Sequence, residues 1–339
     1  MAVNFDRIMQ IGSGYSAAKV LLSAVGLGLF TELARGPLTA TAISERFGLV
    51  ERPARDFLDA LVSLELLDRD GDGPEARYRN TAETGQFLDE NSPSYLGGLL
   101  KIWDQRNYRF WGDLTEALQT GQAQSEIKHT GRPFFETLYA DPHRLEAFVA
   151  AMDSSSRTNF ELLAQRFPFD RYRSVCDVGG ADALLTRIVA ARHPHLACVS
   201  LDLPAVTEIA ARRIAEDGLG DRVRAAAGDF LADRLPPADV VTMGMILHDW
   251  NLERKQELIA KAYQALPPGG AFIVVESLID DARRENTFGL MMSLNMLIEF
   301  GDAFDYTAAD FRQWCSAAGF RSFDVLPLDG ASSAAVAYK

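Results

Sequence analysis

The sequence predicts an α/β protein, in which a mostly helical, winged-helix-like domain precedes a doubly wound parallel sheet. Three observations support this fold class. The chain has 339 residues, which is long for a single compact domain. From Arg173 onward, apolar strand-like segments alternate with helical segments, as in βαβ units; the predicted strands include DVVTMGMIL and end with AFIVVES. Before about residue 100, helical periodicity gives way to Gly- and Pro-rich turn signals between short strand-like pieces.

The composition is that of a globular protein, with 47 % apolar and 24 % charged residues. No apolar run approaches the roughly 18 residues of a membrane span, and the first residues do not resemble a signal peptide. We therefore expect a cytoplasmic protein with no membrane partner. The three cysteines, Cys176, Cys198 and Cys315, are widely spaced among apolar neighbours, which favours reduced packing residues over disulfides or a metal site.

The N-terminal region has the order helix, turn, helix, wing. Helical spacing relates Ile43 to Phe47 and Phe57 to Leu61, and Gly48 separates the two runs. A winged helix often binds DNA, so a DNA-binding regulator is an alternative function. The second helix carries four acidic residues beside two arginines, and the net charge is −13, so we expect no nucleic-acid partner. A packing or dimerisation platform fits these charges better.

The predicted domain boundaries follow the change from mostly helical segments to alternating strands and helices. We predict a winged-helix-like dimerisation domain over 1–100, a helical linker and substrate-pocket region over 101–166, and a catalytic domain over 167–339. The apolar stretch VLLSAVGLGLF in the first region exceeds what a small module can bury. A homodimer through this domain is therefore expected.

Functional side chains are expected at the carboxyl ends of the strands, where ligands bind in doubly wound sheets. The first strand runs into the glycine pair of CDVGGADALL, which lets backbone approach a ligand closely, although a tight turn also explains it. Asp202 ends the second strand and suits the two hydroxyls of a ribose or an N-cap. Asp229 and Phe230 follow the third strand and suit a purine or an ordinary turn. Together they point to an adenosine ligand.

In this order and spacing, DVGGADALL, SLDLPAV, GDF, MILHDW and LPPGGAFIVVES resemble the S-adenosylmethionine-dependent small-molecule O-methyltransferases of the acetylserotonin, caffeate and bacterial antibiotic-tailoring type. The resemblance covers most of the chain and implies the class I methyltransferase fold. It also implies S-adenosyl-L-methionine as cofactor and a small aromatic substrate with a hydroxyl group. The cofactor would contact Gly179, Asp202, Leu203, Asp229, Phe230 and Gly244.

The resemblance gives His248 of LHDW the role of the base that takes the proton from the substrate hydroxyl. Imidazole suits general-base work near neutral pH, whereas a core histidine is the alternative. Glu276 and Asp305 match the carboxylates that orient the imidazole in the family. The acceptor pocket would be shaped by residues that are equally common as packing residues; these are Met152, Asp249, Met292, Asn295 and Met296.

Two departures from the family pattern stand out. Ala181 and Ala183 replace the second and third glycines of the D-x-G-x-G-x-G loop, so the loop must either keep negative φ there or bind the cofactor less closely. DAFDY precedes Thr307 where the family has an Arg- and Glu-containing stretch. Relatives that have lost methyl transfer use the cofactor for decarboxylation or hydroxylation, but the retained His248 favours methylation. A dehydrogenase is less favoured, because the first turn lacks GxGxxG.

Overall fold

The computed structural model describes residues 4–339, which form two compact units, 4–109 and 110–339. A single helical turn, α8, spans their junction at Tyr108–Phe110. The other elements of the first unit are α1 (Asp6–Gly12), α2 (Gly14–Leu27), α3 (Leu29–Leu33), β1 (Leu38–Thr39), α4 (Ala40–Phe47), α5 (Glu51–Ser63), β2 (Leu67–Asp70), β3 (Arg77–Asn80), α6 (Ala82–Phe87), α7 (Gly97–Ile102) and a π-helical turn (Trp103–Asn107).

The first unit contains the predicted helix-turn-helix and wing. Thr39 caps α4 by accepting a hydrogen bond from the Ala42 N–H, and Gly48 ends that helix with φ +63°. The three short strands pair in the order β1-β3-β2. Leu58 and Leu61 of α5 are fully buried in its core.

The apolar surface of this unit differs from the sequence expectation. Much of VLLSAVGLGLF lies inside the unit, since Leu22, Val25, Leu29 and Phe30 are buried. The expectation that this stretch stays uncovered was therefore wrong for these residues. The exposed apolar residues lie in and beside α1, where the side chains are 57–73 % exposed; they are Phe5, Ile8, Met9, Ile11 and Tyr15.

The second unit is built around a seven-stranded sheet of order β6-β5-β4-β7-β8-β10-β9. Its strands are β4 (Ser174–Val178), β5 (Ala197–Asp202), β6 (Val223–Ala227), β7 (Val240–Gly244), β8 (Ala271–Glu276), β9 (Ser322–Pro327) and β10 (Ser333–Tyr338). Its helices are α9 (Leu114–Thr120), α10 (Glu126–Thr130), α11 (Phe134–Tyr139), α12 (Pro142–Arg166), α13 (Leu184–Arg192), α14 (Pro204–Glu216), α15 (Leu252–Ala265), α16 (Thr287–Phe300) and α17 (Ala308–Ala318), with 3₁₀ turns at Trp111–Asp113, Phe169–Arg171 and Leu247–Asp249.

Both faces of the sheet are covered, which explains the continuous apolar strand sequences. Side chains of α12, α13 and α14 form one core cluster with one face of the sheet, and α15 and α17 form the other. Strands β4 to β8 run parallel, and β10 is antiparallel to β8 and β9. The predicted fold class is confirmed. The β9–β10 pair was not among the predicted elements.

Strand β7 is shorter than predicted. The sequence DVVTMGMIL was expected to form one strand, but β7 ends at Gly244 and Leu247–Asp249 forms a 3₁₀ turn. The chain leaves the strand direction because Met245 has φ +56°, a left-handed conformation that is unusual for a side-chain-bearing residue. Its N–H still donates to the carbonyl of Val275, 3.0 Å away. This bend turns the LHDW segment across the end of the sheet.

No helix within residues 4–339 is both long and apolar enough to cross a membrane.

Candidate active site

The sheet order brings the predicted cofactor residues into one row. Asp229 follows β6, Asp202 ends β5, Gly179 follows β4 and Gly244 ends β7, and these four strands are consecutive neighbours. Three strand spacings extend over about 14 Å. Parallel strands present their carboxyl ends at one edge, so this row can hold an extended ligand.

A side chain at either glycine of the turn after β4 would displace neighbouring side chains. Gly179 has φ +70°, and a Cβ there would lie 2.3 Å from Cδ1 of Ile246. A Cβ on Gly180 would lie 2.3 Å from Oγ of Ser200. This hydroxyl is buried and has no hydrogen-bond partner. The N–H groups of Gly179 and Gly180 both donate to the carbonyl of Leu201, at 2.8 and 3.3 Å. The turn is therefore fixed against β5 by its backbone.

The two alanines in this turn adopt left-handed conformations, with φ +47° at Ala181 and +70° at Ala183. The alternative in which the loop keeps negative φ was therefore wrong. The left-handed conformation costs an L-residue about 1–2 kcal/mol. The Ala181 N–H compensates in part by donating to Oδ2 of Asp202 over 2.9 Å. Ala183 is fully buried in the core beneath the turn.

Asp202 is 8 % exposed, and both of its oxygens accept backbone hydrogen bonds. Oδ1 accepts from the Leu203 N–H at 2.7 Å and Oδ2 from the Ala181 N–H. Burial raises the pKa of Asp202 to about 6, although the two N–H donors act in the opposite direction. Each carboxylate oxygen can accept further hydrogen bonds, so the group can hold the hydroxyls of a ligand.

Asp229 and Phe230 lie beside it, partly exposed. Oδ1 of Asp229 accepts from the Leu231 N–H at 2.8 Å. The Phe230 ring lies edge-on to Trp250 with ring centroids 6.2 Å apart, and the Phe230 carbonyl accepts from Nζ of Lys261 at 2.8 Å. These hydrogen bonds anchor the segment after β6, and the Asp229 and Phe230 side chains remain partly accessible to a ligand.

His248 lies in the 3₁₀ turn after β7, 4 % exposed, between two carboxylates. Nε2 is 3.3 Å from Oδ1 of Asp249, and Nδ1 is 3.4 Å from Oδ1 of Asp305. The backbone N–H of His248 donates to Oε1 of Glu276 at 3.1 Å. All three predicted acids therefore surround His248. Asp305 faces the ring, whereas the hydrogen bond to Glu276 comes from the backbone.

The charges of this cluster are strongly coupled. Burial by itself lowers the pKa of His248, but Asp249, Asp305 and Glu276 outweigh it and raise that pKa to about 10. Burial raises the pKa of Asp249 to about 7 and also raises the pKa of Glu276. The acids around the ring therefore favour its charged form.

The remaining predicted residues lie on two helices. Met292, Asn295 and Met296 lie on α16, where spacings of three and four residues place them on one face. That helix contacts the turn that carries His248. Asn295 Oδ1 accepts from the indole N–H of Trp111 at 3.1 Å. Met152 lies on α12, partly exposed.

Sequence reasoning missed three residues of this region. Met245 supplies the left-handed bend before His248. Burial raises the pKa of the Tyr139 hydroxyl, and the nearby carboxylates of Asp202 and Asp249 raise it further. Its ring stacks on Phe135 at 5.9 Å, and Phe135 stacks on Phe300 at 5.8 Å. The i, i+4 spacing of Phe135 and Tyr139 was the available signal. The third is Lys255, a buried lysine of α15.

Comparison with known proteins identifies the family. Residues 111–321 match the family model described as O-methyltransferase domain, and residues 9–89 match the O-methyltransferase dimerisation domain. The chain belongs to the O-methyltransferase family. The resemblance stated from the sequence is confirmed, and the protein is an S-adenosylmethionine-dependent O-methyltransferase.

Individual relatives match this methyltransferase over nearly its whole length. The tetracenomycin polyketide synthesis 8-O-methyl transferase TcmO of Streptomyces glaucescens is 39 % identical over 98 % of this chain and 96 % of its own. The N,N-dimethyltransferase OxyT of Streptomyces rimosus is 40 % identical over 93 % of this chain and 90 % of its own. The crystal structure of human N-acetylserotonin methyltransferase in complex with SAM is similar with a TM-score of 0.91 and 28 % identity, covering 100 % of this chain and 98 % of that chain.

The left-handed alanines give a stability prediction. Ala181→Gly relieves about 1–2 kcal/mol of strain and loses about 0.5–1 kcal/mol to the greater freedom of glycine in the unfolded chain. We expect its free energy of unfolding in urea to rise by about 0.5 kcal/mol. Ala183→Gly is the matched control, because it also removes a buried methyl group worth about 0.8 kcal/mol, so its stability should stay unchanged or fall. Equal destabilisation of both variants would contradict the strain argument.

Proposed function

We propose that this enzyme transfers a methyl group from S-adenosylmethionine to a phenolic hydroxyl of an aromatic secondary metabolite, and that His248 takes up the hydroxyl proton. The observation that carries the proposal is the buried imidazole flanked by Asp249 and Asp305 next to the end of β7. That position adjoins the Gly244 end of the predicted cofactor row. An acceptor bound beside the ring would meet the donor's methyl end there.

The relatives support this class of acceptor. TcmO is named for 8-O-methylation in tetracenomycin polyketide synthesis. A 3-hydroxy-5-methyl-1-naphthoate 3-O-methyltransferase of Streptomyces sahachiroi is 33 % identical over 92 % of this chain. We infer from them a polycyclic or naphthoate-like phenol and a place in antibiotic biosynthesis. A cytoplasmic location is the matching prediction from composition.

We assign the cofactor contacts to the row of strand ends. When bound, S-adenosylmethionine would supply a methyl group on a positively charged sulfur, and the acceptor oxygen would bond to the methyl carbon as the carbon–sulfur bond breaks. Asp202 accepts hydrogen bonds from the ribose hydroxyls, with Leu203 beside it. Asp229 and Phe230 hold the adenine, the first by its carboxylate and the second by its ring. The backbone of Gly179 and Gly244 holds the methionine end.

The raised pKa of His248 is close to that of the phenol whose proton it takes in this proposal. A phenol has a pKa of about 10 and free imidazole about 6.5, so the transfer to an ordinary imidazole costs roughly 5 kcal/mol. Raising the pKa of His248 to about 10 makes the transfer nearly even. The reactive complex has one proton fewer than the resting imidazolium and neutral phenol. The fraction of enzyme in this reactive complex therefore rises tenfold per pH unit, and the rise ends at the pKa of His248.

The acceptor pocket is assigned to side chains near this ring. Asp249 meets Nε2, the nitrogen that we assign to the acceptor, and Asp305 orients the ring through Nδ1. Glu276 fixes the turn that carries His248 through the backbone N–H. The flat, largely apolar surface needed for an aromatic ring is assigned to residues of α11, α12 and α16; these are Phe135, Tyr139, Met152, Met292, Asn295, Met296 and Phe300.

An amine acceptor is the second candidate, favoured by the similarity to OxyT. The Asp249 carboxylate beside the ring can accept a hydrogen bond from the N–H of a neutral amine. Mass spectrometry of products from matched phenol and aniline acceptors separates the two functions. Methylation of the phenol alone supports the main proposal, and methylation of the aniline alone overturns it.

Asp202 provides a test of cofactor binding. Asp202→Ala removes charge-assisted hydrogen bonds worth about 1.5–3 kcal/mol, so S-adenosylhomocysteine should bind roughly 10- to 150-fold more weakly in isothermal titration. Asp324→Ala is the control, since Asp324 accepts from the Tyr338 hydroxyl on the far edge of the sheet. Unchanged affinity in Asp202→Ala would refute the assignment.

His248 provides a test of proton transfer. His248→Gln cannot take the proton, so we expect kcat to fall by about 10²- to 10⁴-fold with little change in cofactor affinity. In the wild type, kcat/KM should rise with pH toward about 10, where the ring loses its proton. His193→Gln is the control, because His193 bonds the Ala164 carbonyl at 2.8 Å and should affect thermal stability alone. Near-normal turnover by His248→Gln would show a packing role.

The dimerisation domain predicts a homodimer. The exposed apolar side chains in and beside α1 are the expected contact, because burial of such a patch stabilises association. Light scattering at micromolar concentration should give twice the chain mass of 37.3 kDa. Ile8→Glu with Ile11→Glu should lower that mass. A wild-type monomer under these conditions would exclude the dimer.

A further inference from the structure

Lys255 is buried next to the cluster around His248 and has no role in the proposed reaction. It lies in the first turn of α15, and its side chain is 0 % exposed. Lysine is almost never fully buried unless its ammonium is satisfied, because removing that charge from water is costly. The contacts of Lys255 therefore need an explanation.

The ammonium group of Lys255 joins two separate segments. Nζ donates a hydrogen bond to the carbonyl of Trp250. It also lies 4.0 Å from the centroid of the Phe304 ring and 5.7 Å from that of Tyr306. A carbonyl oxygen and the faces of aromatic rings are both suitable partners for a desolvated ammonium.

These partners adjoin the two carboxylates that face His248. Trp250 directly follows Asp249, and Phe304 and Tyr306 flank Asp305 in the chain. Asp249 and Asp305 face opposite nitrogens of the ring. One side chain on α15 thus holds the segments that supply both carboxylates.

The charge of Lys255 also acts on this cluster. Burial lowers the pKa of Lys255 to about 8, and the carboxylates of Glu276, Asp305, Asp249 and Asp302 act in the opposite direction. The other titratable groups here are His248 and the Tyr306 hydroxyl. The remaining charged residues in the first half of α15, Glu253, Arg254 and Glu257, are exposed. Lys255 is therefore the buried cation, besides the ring itself, that opposes the carboxylates in this part of the described chain.

We propose that Lys255 is a positioning residue that holds the Asp249 and Asp305 segments around His248 and limits, through its charge, how strongly the ring retains its proton. The proposal rests on the proposed role of His248 as the base. Without this cation the carboxylates hold the imidazolium proton more tightly. A smaller share of the enzyme can then accept the hydroxyl proton at a given pH.

Lys255→Met tests the charge while keeping a similar apolar chain. The rise of kcat/KM with pH should move to higher pH by about one unit, because a buried neighbouring cation is removed. Turnover in the rising part of the profile should fall roughly tenfold, with cofactor affinity unchanged. Lys255→Arg retains the charge and should restore the profile. Asp305→Asn removes a negative charge and should move the rise to lower pH.

Lys339→Met is the matched control. Nζ of Lys339 donates to the carbonyls of Tyr263 and Leu266, both at 2.6 Å, and lies 4.3 Å from the centroid of the Tyr263 ring. It therefore makes the same kinds of contact away from His248. Its loss should lower the melting temperature without moving the pH profile. A Lys255→Met variant that behaves in this way would overturn the proposal.

A second readout separates this proposal from the role of His248. The titration of the His248 ring can be followed by NMR of histidine-labelled enzyme without acceptor, since the chain has only five histidines. Lys255→Met should raise the ring pKa, and an unmoved titration would overturn the proposed effect of the charge. If the ring titration moves but His248→Gln turns over normally, the effect of Lys255 on the ring is supported and the role of His248 as base fails.

Discussion

The site depends on one buried ionic contact, the His248 ring held between the carboxylates of Asp249 and Asp305. Burying an ion costs several kcal/mol, and the cost is recovered only with partners in good positions. Here the surroundings favour the charged ring over the neutral ring, so the usual effect of burial on a histidine is reversed. A ring of ordinary basicity would be a poor base for a phenol. The neighbouring acids raise its basicity toward that of a phenol, the acceptor that we propose.

The fold positions this contact from several elements. Strand β7 and the left-handed Met245 deliver the turn with His248 and Asp249. Glu276 at the end of the adjacent strand β8 receives the backbone N–H of that turn. Asp305 comes from the segment before α17, where its N–H donates to Ser293 Oγ at 3.2 Å and a capping box at Thr307 begins the helix. The backbone N–H groups of His248 and Asp305 thus donate to side chains of other elements, which fixes the segments that carry the ring and the Asp305 carboxylate.

The strand-end positions of Asp202, Asp229 and His248 could be predicted from sequence because they follow from the alternation of strands and helices. Backbone conformation could not. Ala181 and Ala183 follow the glycines into positive φ because tertiary contacts, such as the bond from Ala181 to Asp202, outweigh local preference. The burial of Lys255 could not be predicted either, since a lysine in an amphipathic helix is expected on the solvent side. The contact of Glu276 with backbone rather than with the ring depends on a turn that was predicted as strand.

The protonation of His248 in the cofactor complex shows most directly whether the neighbouring acids keep the ring in its charged form. A neutron crystal structure of the deuterium-exchanged enzyme with S-adenosylhomocysteine at pH 7 would locate the protons of this cluster. We expect deuterium on both ring nitrogens, with Nδ1 directed at Asp305 and Nε2 at Asp249. A ring nitrogen without deuterium at that pH would contradict this expectation, because His248 would then be a neutral histidine.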